Sequence, residues 1–141
     1  IWDESKISIS DLAHQTMFAY DEAGQLKSVA AKQRLSQINP FVKISAMTDV
    51  FNGATASENI KNFDLVMDCS DSSLGSATLL ETCVDEKVIL IQKSAADDFG
   101  MLGAGPEILG SLQAIEAINE LLGEELIPSS TENAPESNQI N

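Results

Sequence analysis

Asp68 and Asp71 stand three residues apart in NFDLVMDCSDSS (residues 62–73), at the end of an apolar run. Ligands of open α/β sheets bind outside the carboxyl ends of the strands. Asp71, on the turn after this run, is therefore placed to associate with Mg²⁺, an ion that prefers carboxylates together with phosphate oxygens. Asp68 lies nearer the strand and can instead bond backbone N–H groups or cap the turn. Both aspartates can equally be turn and cap residues. Asp3 is a second candidate, because a carboxylate at the tip of a Rossmann-type second strand holds ribose hydroxyls. Lys27 is a third. It opens a helix, where the dipole disfavours a cation, so it either serves an anion or is a solvent lysine. GMLGAGPEILG is glycine-rich but fits neither G-x-x-x-x-G-K-[ST] nor G-x-G-x-x-G. Its glycines suit a close backbone crossing before a helix. Cys69 and Cys83 form no C-x-x-C pair, and reduced buried thiols are expected. With His14 as the single histidine, no nucleophilic triad can be built and a zinc site is not expected.

The elements that must position these residues alternate along the chain. GQLKSVAAKQRLSQIN predicts a helix that stops at Pro40. FVKISAM (41–47) predicts a strand with Val42, Ile44 and Ala46 on one face. TASENIKNF reads as a short helix, DLVMDC as a strand covered on both faces, LGSATLLETCVDE as a helix and KVILIQK as a second fully buried strand. PEILGSLQAIEAINELLG is the clearest helix, with Pro106 in its first turn and Gly123 as its stop. Its apolar face is expected to be Ile108, Leu112, Ile115, Ala117, Ile118, Leu121 and Leu122. The alternation implies an α/β fold with mainly parallel strands and helical crossovers. The tail 124–141 is polar and reads as disordered, leaving 1–123 as the folded domain. The segment 94–106 reads as a long glycine-containing loop or as a place where something is missing.

The 141 residues carry 22 acidic and 8 basic side chains, a net charge of −14 that argues against a nucleic-acid partner. No apolar window is long enough to span a membrane, and the acidic start does not resemble a secretory signal, so a cytoplasmic location is expected.

Four stretches, in this order, resemble the E1-like superfamily, the activating enzymes of ubiquitin-like and sulfur-carrier proteins. ISISDLAHQTMF is similar to its D-x-D-x-V-x-x-S-N-L-x-R-Q stretch, once Asp3 and Ser5 are included. GQLKSVAAKQRLSQINP is similar to its G-x-x-K…A…R-L…I-N-P helix, and FDLVMDCSDSS to D-x-V-x-D-C-[ST]-D-N. GMLGAGPEILGSLQAIEAINELLG resembles its final glycine-rich segment and helix. The resemblance implies a Rossmann-like three-layer fold, incomplete at the N-terminus because the family's glycine-rich turn precedes the matched part. It implies ATP and Mg²⁺ as ligands, and adenylation of the C-terminal glycine of a small β-grasp sulfur carrier or ubiquitin-like protein of the MoaD or ThiS type. It also implies a homo- or heterodimer. Residue by residue, it assigns ribose binding to Asp3, phosphate binding to Lys27 and Mg²⁺ association to Asp71, and it matches Gln15 to the motif glutamine in the nucleotide site.

Several positions depart from that pattern. His14 stands where the family has arginine, and a histidine cannot make the guanidinium fork. Asp11 replaces the motif asparagine and adds a negative charge near the phosphates. Ser5, Ser72 and Gly75 replace an acidic residue, an asparagine and an arginine. These departures keep open an alternative: a catalytically inactive E1-like subunit or scaffold that binds a β-grasp protein or an active partner.

Overall fold

The computed structural model describes residues 1–70, 73–92 and 105–123. Its regular elements are α1 (Lys27–Ile38), α2 (Gly53–Ile60), β1 (Leu65–Asp68), α3 (Ser73–Glu86), β2 (Ile89–Gln92) and α4 (Gly105–Leu122). Two short 3₁₀ turns, Ile9–Ala13 and Tyr20–Glu22, precede α1.

β1 and β2 pair in parallel, with Leu65 opposite Ile89 and Asp68 opposite Gln92. A parallel pair cannot be closed by a tight hairpin, and α3 supplies the crossover. Both α3 and α4 pack on the strand pair, and α2 packs on α3. The apolar core lies between α2 and α3: Ala56, Ile60 and Cys83 are buried, with Phe51, Val66, Leu79, Val88 and Leu90 around them. Trp2 meets the Phe51 ring edge-on at 5.0 Å and ties the N-terminus to this cluster. Gly123 takes φ +65°, the left-handed conformation that ends α4 where the sequence expects it to end.

The mixed α/β class with parallel strands agrees with the sequence reading, as do the helices over α1, α3 and α4. Three expectations are corrected. Residues 41–47 form no strand; Met47 alone makes a parallel bridge, to Trp2. A strand needs a ladder of partners, and after Pro40 the chain leaves Phe41 96% exposed. The two strands are not covered on both faces: Met67 is 37% exposed and Ile89 40%. The expected apolar face of α4 is largely uncovered among the described residues, with Ile108, Leu112, Ile118, Leu121 and Leu122 exposed. Ala117 of that face is buried, and the buried line it belongs to continues through Gln113 and Gly105. Strand length explains this. Four strand residues span about 13 Å, whereas an 18-residue helix runs about 27 Å. The tail 124–141 and residues 94–104 of the expected loop fall outside the described residues, while Gly105 and Pro106 already belong to α4.

Candidate nucleotide site

Local hydrogen bonding builds the first cluster. Ser8 caps the 3₁₀ turn in a reciprocal box with Asp11. The Asp11 carboxylate accepts the Ser8 N–H at 2.7 Å and the Ser8 hydroxyl at 2.9 Å on Oδ2. Its other oxygen, Oδ1, accepts Lys27 Nζ at 3.0 Å. The side chains are 12% and 17% exposed, so the pair is largely withdrawn from water. Burial alone would raise the Asp11 carboxyl. The Ser8 N–H, the Lys27 ammonium and the Ser8 hydroxyl outweigh it and lower the group from 3.8 to about 2. Lys27 is therefore not a solvent lysine, and the anion beside it is the protein's own Asp11.

Backbone bonds bring the turn and α1 together. The Ile7 N–H donates to Gln25 O at 2.8 Å, the Gly24 N–H to Ile7 O at 2.8 Å and the Lys27 N–H to Ser5 O at 2.9 Å. Gly24 has φ +89°, a conformation that suits glycine at this reversal. Ser28, wholly buried on α1, donates its hydroxyl to Asp3 O at 2.8 Å. Asp3 Oδ1 accepts the Ser5 N–H at 2.8 Å and also the Ser5 hydroxyl. The Gln15 N–H donates to Asp11 O at 2.8 Å, while Gln15 Oε1 is buried with no hydrogen-bond partner. These bonds gather Asp3, Asp11, Gln15 and Lys27 at the start of α1.

The second cluster closes β1. Asp68 is buried, and its Oδ1 accepts the Ser70 N–H at 3.0 Å. Burial raises this carboxyl, but bonds from Ser76, from the Ser70 N–H and hydroxyl and from Gln92 lower it overall. Asp68 is thus a cap held by neutral donors, as one of its two sequence readings expects. Gln113, buried on α4, donates Nε2 to Asp68 O at 2.9 Å, and the Cys69 thiol reaches Gln113 Oε1 at 3.7 Å. Cys83 is buried as expected; Cys69 is exposed, a correction that follows from its place just beyond the end of β1. Desolvation of the Cys69 sulfur and the Asp68 charge push its thiol up, and burial does the same for Cys83, so neither is an activated thiolate. Asp71 lies outside the described residues.

Within the first cluster, Gln15 and Lys27 differ in what they leave open. Unpartnered Gln15 Oε1 is an acceptor suited to a hydroxyl or amine donor. The Lys27 ammonium faces the Asp11 carboxylate, so as it stands it is not free to meet a polyanion. Among the described residues, no group of three or more His, Cys, Asp and Glu side chains is arranged to hold a metal ion, and none of the described helices is long and apolar enough to cross a membrane. Sequence reasoning missed Ser28 and Gln113 as positioning residues. Gln113 was findable as a polar side chain four positions before Ala117, on the same face of the helix. Asp11 was recognised as a misplaced charge, but not as the partner of Lys27.

A family model described as the ThiF family matches residues 1–103. The chain is 24% identical to the sulfur carrier protein ThiS adenylyltransferase of Escherichia coli K12, over 86% of this chain and 61% of that protein. It is 26% identical to the molybdopterin-synthase adenylyltransferase of the same organism, again over 86% of this chain and 61% of that protein. The chain thus spans about three fifths of the length of these relatives. Among solved structures, it is similar to E. coli tRNA N6-threonylcarbamoyladenosine dehydratase in complex with ATP. The TM-score is 0.61 at 22% identity, covering 64% of this chain and 38% of that one, a likeness of fold.

Proposed function

Because the chain belongs to the ThiF family, we propose that it serves the ATP-dependent adenylation of the C-terminal glycine of a small β-grasp sulfur carrier or ubiquitin-like protein. In that reaction a carboxylate oxygen of the carrier attacks the α-phosphorus of ATP. The bond to the bridging oxygen breaks, and pyrophosphate leaves with the electron pair. The observation that carries the reading is the gathering of Asp3, Gln15 and Lys27 at the start of α1, with the buried acceptor Gln15 Oε1 left for a ligand. Asp3 and Gln15 would take the nucleoside, and Lys27 the phosphates. Catalysis of this kind rests on positioning and charge neutralisation rather than on a protein nucleophile, which agrees with two unactivated thiols. Asp71 is the residue proposed to associate with Mg²⁺. A homo- or heterodimer is part of the reading, and the uncovered face of α4 is the surface that supports it.

The Lys27–Asp11 pair favours a second reading: a catalytically inactive E1-like subunit that binds a β-grasp protein or an active partner. Titration calorimetry with Mg-ATP on the wild type and on Asp71→Ala separates the two. Saturable binding that Asp71→Ala removes is expected for the enzyme, and pyrophosphate exchange driven by a carrier protein should follow. Absence of binding at millimolar ATP would exclude catalysis by this chain alone.

A further inference from the structure

We propose that Asp11 decides whether this site takes a nucleotide: its carboxylate occupies the anion position beside Lys27, and removing that single charge opens the phosphate end. The proposal rests on the nucleotide-site reading above and adds the residue that gates it.

Asp11 is pinned from two sides. Oδ2 holds the Ser8 N–H and hydroxyl at 2.7 and 2.9 Å, and Oδ1 holds Lys27 Nζ at 3.0 Å. Turning the carboxylate away from Lys27 would give up the cap of the 3₁₀ turn as well as the ion pair. Protonation offers no escape at neutral pH, because the group titrates at about 2. An entering phosphate therefore meets an ionised carboxylate at hydrogen-bond distance from the cation it needs. An intramolecular anion also competes at a high effective concentration. Arg34, further along α1, is itself 3.3 Å from Glu22, and the chain carries a net charge of −14.

An asparagine at residue 11 would keep an oxygen for the Ser8 N–H and leave Lys27 unneutralised. The carboxylate keeps the cap and cancels the cation. The cluster is thereby complete without a ligand at its phosphate end, while Gln15 Oε1 remains without a partner.

The test is Mg-ATP affinity, by calorimetry, of wild type, Asp11→Asn, Asp11→Gln, Asp11→Glu and the double variant Asp11→Asn with Lys27→Met. Asn and Gln are neutral and keep a cap acceptor, so two neutral variants guard against one misfolding; circular dichroism checks each. Both should bind at least about tenfold tighter than wild type, the effect of removing one repelling charge from a partly screened site. Asp11→Glu, which keeps the charge, should stay as weak as wild type, and Lys27→Met should abolish the gain. Equal affinity in the wild type and the neutral variants would overturn the gating role while leaving the nucleotide site standing. A gain that survives Lys27→Met would overturn the role of the pair. Binding by none of the proteins would overturn the nucleotide reading itself, and the gate with it.

Discussion

Asp11 and Asp68 are both buried carboxylates held below their usual range, yet their surroundings differ. Asp11 faces a cation, Lys27, on the edge built from the 3₁₀ turn and the start of α1. Asp68 is held by serine and glutamine donors where β1, β2 and α4 meet. The first arrangement has the charge balance of a ligand site already filled. The second has the closed hydrogen bonding of a structural cap. Chemically similar side chains thus sit at a charge-paired edge and at a junction closed by neutral hydrogen bonds, and the partner distinguishes them, not the aspartate.

The largest expected effect breaks the junction. Gln113→Ala would leave the Asp68 carbonyl without its buried donor and open a small cavity, costing about 2–3 kcal/mol. Urea unfolding measures it. A loss under about 0.5 kcal/mol would mean that water replaces the amide and that the junction is not closed.

Acid comes next and sharpens the contrast at the edge. The folded Asp11 carboxyl binds its proton more weakly than an unfolded one, about 2 against the usual 3.8. Its stabilisation is therefore present above pH 4 and is lost as pH falls from about 4 to about 2, roughly 2 kcal/mol in all. Asp68, also lowered, contributes in the same direction. Wild type should converge on Asp11→Asn in relative stability across that window. Parallel stability curves from pH 5 to 2 would show that Asp11 carries no net stabilisation.

The smallest effect separates the two carboxylates by salt. Lys27→Met should cost about 1 kcal/mol, an amount between an exposed and a fully buried pair. The cost should shrink in 1 M salt, where the Debye length is about 3 Å. Gln113→Ala should not respond to salt, since no ion pair is involved. Equal salt dependence of the two variants would remove the distinction between the regions.

Much of this was legible in the chain. The spacing of apolar residues marked α1, α3 and α4, because a helical period survives whatever the helix packs on. The parallel pairing followed from strands alternating with helices. Residues 41–47 misled because alternation describes the side chains of a strand, while a strand exists only when another backbone lies alongside. The face of α4 misled for a related reason: an apolar stripe shows which side could be buried, not how much surface is available to bury it. Asp3, Gln15, Lys27 and Asp71 are legible in the motifs as candidates; the structure brings the first three to the start of α1, and Asp71 lies outside the described residues.

The amino-acid sequence by itself determined the fold class, the family motifs and the presence of an extra negative charge at residue 11, because each is a matter of residue type and local order. Only the tertiary structure decided what that charge does. Asp11 and Lys27 are sixteen residues apart, and nothing local relates them. The Ser8 cap fixes the direction of one side chain, the bonds from Ser5 and Ile7 to the start of α1 fix the place of the other, and the two meet because both backbones are held.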